Sequence, residues 1–145
     1  MDDELVVRLR AVISRLARQL NETSTGEDLT PTQYSVLGLV RSRGPLGLAE
    51  LTSLEGLNPT MLSRVVRTLD EKRLIRREPD PSDLRAARVQ VTPAGEQVHE
   101  RVRQQRARVL SECLSRLPAP TATALLEAVP AMEALAQELR SLRAP

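Results

Sequence analysis

The chain has 145 residues, a formal net charge of +2, one Tyr and neither Phe nor Trp. That length suits one domain with a real core, and the core must be aliphatic, which fits helices packed on helices. One Cys excludes an intrachain disulfide, and one Cys with one His offers no metal cluster, so neither metal nor cofactor is expected.

No apolar run reaches the length of a membrane span, and the start Met1-Asp2-Asp3-Glu4 lacks the apolar region of a secretory signal, so the expected compartment is the cytoplasm. Residues 3 to 21 read as a helix. Leu5, Leu9, Val12, Ile13, Leu16 and Leu20 form a near-heptad stripe, with Arg8, Arg10, Arg15 and Arg18 off it. Residues 21 to 27, rich in Asn, Ser, Thr and Gly, end this helix. Thr30-Pro31-Thr32-Gln33 opens a second helix through Val36, Leu37, Leu39 and Val40, which stops at Gly44-Pro45. Residues 46 to 55 carry a third helix, with Leu48, Leu51 and Leu54 as core candidates, and Gly56 closes it with a positive φ.

Asn58 then caps a fourth helix, with Pro59 at its first position, where a missing N–H costs nothing. Leu62, Val65, Val66 and Leu69 fall at i, i+3, i+4 and i+7 and mark its buried stripe. Two helices joined by so short a turn have the form of a helix-turn-helix. The other face carries Thr60, Ser63, Arg64 and Arg67, groups that reach phosphates and base edges. After Leu74 the period changes to two. Leu74-Ile75-Arg76-Arg77-Glu78 and Ala87-Arg88-Val89-Gln90-Val91-Thr92 read as strands, and Pro79-Asp80-Pro81-Ser82-Asp83-Leu84-Arg85-Ala86 as the loop between them. This is a wing with a charged tip. Residues 58 to 92 hold eight Arg or Lys against five Asp or Glu, whereas residues 46 to 57 hold two Glu and no cation, so the positive excess sits on the reading unit. Arg85 is the candidate for the minor groove, aimed by an ion pair with Asp83. Arg76, Arg77 and Arg88 are candidate phosphate contacts, with strand-face ion pairs to Glu78 or Asp80 as the competing reading.

Pro93 opens a long helix to about residue 117, which carries Arg101, Arg103, Arg106 and Arg108. This Arg run is a solvated face or, in a sharper reading, a secondary contact for phosphate or an effector acid. Pro118 and Pro120 break it. The last helix, about 121 to 142, contains Pro130, which predicts a kink or a split. Cys113 lies among Leu110, Leu114 and Leu117 and reads as a buried, inert thiol. The aliphatic stripes of the first helix and the last two exceed what the winged unit needs, and a second copy of the chain is their simplest partner.

The run Asp83-x-Arg85-x-x-x-Val89-x-Val91-Thr92-x-x-Gly95 resembles the wing signature of the MarR family of bacterial transcriptional regulators. Leu62-Ser63-Arg64-Val65-Val66-Arg67-x-Leu69-Asp70-x-Lys72 resembles that family's recognition helix, at the matching distance upstream. Family members often have Gly where this chain has Arg73, which implies a different closure of that helix. The resemblance covers the whole chain, 1–145. It implies a mostly α fold with a small β-hairpin wing: a winged helix-turn-helix DNA-binding unit over 30–92, and dimerisation helices over 3–21 and 93–142. It further implies a homodimer on double-stranded DNA at a palindromic operator, most often a repressor released by a small aromatic or anionic effector. Asn58, Pro59, Thr60, Ser63, Arg64, Arg67, Arg76, Arg77, Asp83, Arg85 and Arg88 are then the DNA-binding set. Arg15, Tyr34 and His99 are candidates for an effector pocket. A winged-helix module that binds protein without specific DNA binding is the competing class. An enzyme is not expected, because no nucleophile–base pair, carboxylate pair or phosphate-cradling loop is present.

Overall fold

The computed structural model describes residues 1–23, 29–83 and 85–142. The elements run α1 (Asp3–Glu22), α2 (Pro31–Arg43), β1 (Leu46–Gly47), α3 (Leu48–Glu55), α4 (Pro59–Glu71), β2 (Ile75–Pro79), β3 (Ala87–Val91), α5 (Pro93–Ser115), α6 (Ala119–Glu127) and α7 (Val129–Ser141). Two units are distinguished, 1–106 and 107–145. Most of the predicted loop over 21–27 lies outside the described residues, as does Leu84 in the wing loop.

Local chemistry sets the helix starts. The Asp2 carboxylate accepts the Glu4 and Leu5 N–H groups at the head of α1. Thr30 and Gln33 form a reciprocal capping box, with Pro31 in the first turn of α2. Asn58 Oδ1 accepts the Met61 N–H at 2.8 Å and opens α4. The first unit's core is aliphatic, as the composition requires. Val36, Leu37 and Val40 of α2 meet Leu51 of α3, Leu62, Val66 and Leu69 of α4, and Leu46, Leu74, Ile75 and Val89 of the sheet region. Leu54 departs from expectation and is exposed, because α3 turns only Leu51 fully into the core and half-buries Leu48.

The sheet has three antiparallel strands in the order β1-β3-β2. β2 and β3 form the predicted hairpin, with Arg77 opposite Val89 and Glu78 opposite Arg88. β1 pairs Leu46 with Val89 and Gly47 with Arg88. Two residues are too few to show a period of two, so sequence patterning takes them into the following helix.

Both helix exits around the turn use left-handed backbone. Gly56 lies at φ 68° and returns its N–H to the Thr52 carbonyl at 3.0 Å. Arg73 lies at φ 60°. Its N–H reaches Asp70 O at 2.9 Å, and the Leu74 N–H reaches Leu69 O at 3.0 Å. These two bonds make a Schellman closure, with Leu69 and Leu74 both buried. The exit of α4 is thus closed in the conformation that glycine adopts without strain, but by an arginine. A side chain there costs about 1 kcal/mol of local strain, which the two hydrogen bonds and the Leu69 and Leu74 burial offset.

In the second unit the expected last helix is split. α6 ends at Glu127 and α7 begins at Val129, with Pro130 in its first turn. Cys113 is exposed, not buried: Leu110 and Leu117 beside it are themselves open to solvent, and Leu114 is only partly buried.

Candidate nucleic-acid interface

Burial of one α4 face fixes what the other presents. Leu62, Val66 and Leu69 are buried, while Thr60, Ser63, Arg64 and Arg67 are exposed, as are Asn58 and Pro59 at the start of the helix. No ion pair holds Arg64, Arg67 or Arg85 among the described residues, so their guanidinium groups remain available to an anionic partner. Pro59 has no N–H, and Asn58 accepts those of Met61 and Leu62, so among the described residues the Thr60 N–H is the open main-chain donor in the first turn of α4.

The wing loop is closed by main-chain and Asx-type bonds. The Asp80 N–H donates to Ala86 O at 3.1 Å and the Ala86 N–H to Asp83 O at 3.0 Å. Asp80 Oδ1 accepts both the Ser82 N–H, at 2.9 Å, and the Ser82 hydroxyl, at 2.7 Å. These two bonds hold the Asp80 carboxyl below its ordinary value, with a smaller contribution from the Arg88 charge. Asp83 departs from the predicted ion pair. Its Oδ1 accepts the main-chain N–H of Arg85 at 3.0 Å, so it orients the backbone that carries Arg85 and leaves the guanidinium exposed.

The strand arginines differ from one another. Arg88 faces Glu78 across the hairpin at 3.4 Å, both about 70% buried, which is the strand-face ion pair of the competing reading. Arg76 donates to Gln90 Oε1 at 3.1 Å, also across the hairpin. Arg77 lies opposite Val89 on the other face of the pleat and is exposed.

A second feature lies behind the reading unit. An open cleft of about 470 Å³ is lined by Asn21, Pro31, Thr32, Tyr34, Ser35, Glu55 and Arg106. The Tyr34 ring stacks on His99 with centroids 4.8 Å apart, and the Arg106 guanidinium lies 4.3 Å from the same ring centre. His99 and Arg106 are seven residues apart on α5, two turns on one face, so one helix supplies both neighbours of the ring. Tyr34 lines the cleft, and His99 packs behind it, 8% exposed. Arg15 is exposed on α1 and is not part of the lining. Glu55 accepts the Ser35 hydroxyl at 2.7 Å at the end of α3, one residue before the Gly56 turn. Sequence reasoning missed Ser35 and Glu55. The spacing of His99 and Arg106 was the signal that could have joined Arg106 to Tyr34.

Burial lowers the proton affinity of His99, and the nearby Arg41 charge lowers it further; Glu100 and Glu96 oppose this and Arg103 adds to it. The unfolded chain therefore binds a proton that the folded chain refuses. Stability is full above the ordinary imidazole value of 6.5 and falls as pH drops below it. Glu100, held at about 2 by its hydrogen bonds from Arg103 and Gln104, acts in a separate window below 4.5. Melting curves from about pH 8 to about pH 5 should show falling stability in the wild type. A His99→Phe variant should show a flatter profile. Parallel profiles would remove His99 as the cause.

Over 137 residues the chain is 28% identical to an uncharacterized HTH-type transcriptional regulator of Mycobacterium bovis, covering 94% of this chain and 96% of the relative. The fold is similar to that of a MarR mutant from E. coli, with a TM-score of 0.76, 26% identity, and coverage of 88% of this chain and 95% of that one. Residues 29–87 match the MarR family model. The segment 29–87 belongs to the MarR family. The match spans α2 through the start of β3, the part whose outer face carries the exposed cations. Among MarR-like folds, a MepR mutant of S. aureus bound to an oligodeoxyribonucleotide is also similar, with a TM-score of 0.63, 17% identity, and coverage of 90% of this chain and 96% of that one. MarR-family proteins are transcriptional regulators, and this chain's arrangement of turn, helix and wing is of that kind.

Proposed function

We propose that the chain acts as a homodimeric, sequence-specific regulator that binds a palindromic operator in double-stranded DNA and represses transcription until a small effector releases it. The observation that carries this reading is the unpaired polar and cationic face of α4 beside a wing that exposes Arg85. The DNA-bound state of the similar MepR structure supports it. In this reading α4 lies in the major groove, with Thr60, Ser63, Arg64 and Arg67 toward base edges and phosphates. Arg85 enters the minor groove, with its backbone set by Asp83. Arg77 is freer to reach a phosphate than Arg76 or Arg88, which have protein partners.

The exposed apolar stripes of α1 and α7 support pairing with a second copy, which places two reading helices for two half-sites. The Tyr34 cleft supports an aromatic or anionic effector: a ring can lie against Tyr34 and an acid can meet Arg106. An effector acts only through a difference in affinity between the two dimer shapes.

Fluorescence anisotropy with DNA from upstream of the chain's own gene, against scrambled duplex, tests the reading. The native duplex should be preferred, and log affinity should fall linearly with log salt. Arg85→Ala should weaken binding by about 1–3 kcal/mol. Equal affinity of wild type and variant would take the wing out of the mechanism, and equal binding to both duplexes would refute specific recognition of that site.

A further inference from the structure

We propose that Met61 is a specificity-determining residue that receives the 5-methyl group of a thymine. The inference rests on the DNA-binding reading above. Met61 is the one large apolar side chain of α4 left open to solvent, 47% exposed, while Leu62, Val66 and Leu69 are buried and Val65 is half-buried. It is the third residue of the helix, and the N-terminal residues of a recognition helix are those that meet base edges. Its main-chain N–H is held by Asn58 Oδ1 at 2.8 Å, so the backbone beneath the side chain is set by the cap. On the helix surface it lies one turn after Asn58 and one turn before Arg64, both exposed, with the half-buried Val65 four residues on.

A thioether has no donor and is a weak acceptor, so it contributes nothing to phosphate binding or to a polar base edge. The apolar feature of the major-groove edge is the thymine methyl. An unbranched, polarizable side chain adapts well to such a group. With Asn58 and Arg64 exposed one turn away and Val65 half-buried beside it, Met61 carries the apolar stripe of α4 out to the edge of the polar face, a placement suited to meeting a methyl next to donors and acceptors.

The test uses the full chain. Duplexes are selected from a random-sequence pool, and each fixed thymine in the recovered site is replaced in turn by deoxyuridine, which removes only the methyl. Affinities are then measured for wild type, Met61→Ala and Met61→Gln, each first checked for an unchanged melting temperature. One position per half-site should weaken wild-type binding about fourfold on losing its methyl, on the order of one buried CH₂. Both variants should be insensitive at that position. The same sensitivity in all three proteins, or none at any position in the wild type, overturns the role of Met61 while leaving DNA binding intact. Recovery of no preferred duplex overturns the DNA-binding reading itself, and this inference with it.

Discussion

Replacing Gly95 with alanine should destabilise the protein by about 3 kcal/mol, the upper part of the usual range for forcing atoms into a filled site. For a chain of this length that corresponds to a fall in melting temperature of roughly 10 °C. A Cβ at position 95 would lie 2.0 Å from the Leu74 carbonyl oxygen and 2.9 Å from Val91 Cγ2. The first of these is backbone and has no rotamer through which to withdraw. Nor is the carbonyl free to move, since it accepts the Thr92 N–H at 3.0 Å. The Thr92 hydroxyl in turn accepts the Gly95 N–H at 3.0 Å and donates to Arg73 O at 2.6 Å. One knot thus joins the Schellman exit of α4, the end of β3 and the first turn of α5. Gly47→Ala is the matched control, because its Cβ would meet only Glu50 Oε1, at 3.5 Å. Thermal melts of the two variants should differ sharply, and equal melts would show that the close approach at Gly95 relaxes at little cost.

A Leu9→Glu, Leu16→Glu double variant should convert the proposed dimer into a monomer, with the mass in solution falling from twice the chain mass to 16.1 kDa. Leu5, Leu9, Val12, Leu16 and Leu20 on α1 are between 39% and 58% exposed, and α1 has no buried residue. α7 likewise has none, with Leu139 56% exposed. Contiguous apolar surface of this kind marks an association site. Two carboxylates set into it would have to be desolvated on pairing, a cost of several kcal/mol each. Because each subunit carries one reading helix, loss of pairing should also lower affinity for a two-half-site duplex by about a hundredfold or more, as expected when linked binding is lost. Light scattering gives the first readout and anisotropy the second. An unchanged mass would place the subunit contact elsewhere.

The helices with strong local signals were legible before the structure. Asn58-Pro59, Thr30-Pro31 and Gly56 act within a few residues, so their effect is written in the order of the chain. Pro130 predicted the split between α6 and α7 for the same reason. What escaped depends on distance. β1 exists because Leu46 pairs with Val89, 43 positions away in sequence numbering. Leu54 looked like core by period, but the short α3 presents too narrow a face to bury it. Glu55 and Ser35 meet only once α2 and α3 have packed. Arg73 was visible as an unusual residue, but its left-handed backbone could be read only from the hydrogen bonds around it. Within the reading unit, the residue types were legible and their partners were not. Asp83 and Arg85 are neighbours as expected, yet they meet through a main-chain N–H.

The Tyr34 stack also makes the molecule its own optical instrument. With a single tyrosine and no tryptophan, all intrinsic near-ultraviolet emission from aromatic side chains arises from one ring. That ring is packed on His99, lies under Arg106 and forms part of the cleft wall. A change in its emission therefore comes from one known address, so occupancy of the cleft can be followed in the unlabelled, unmutated chain.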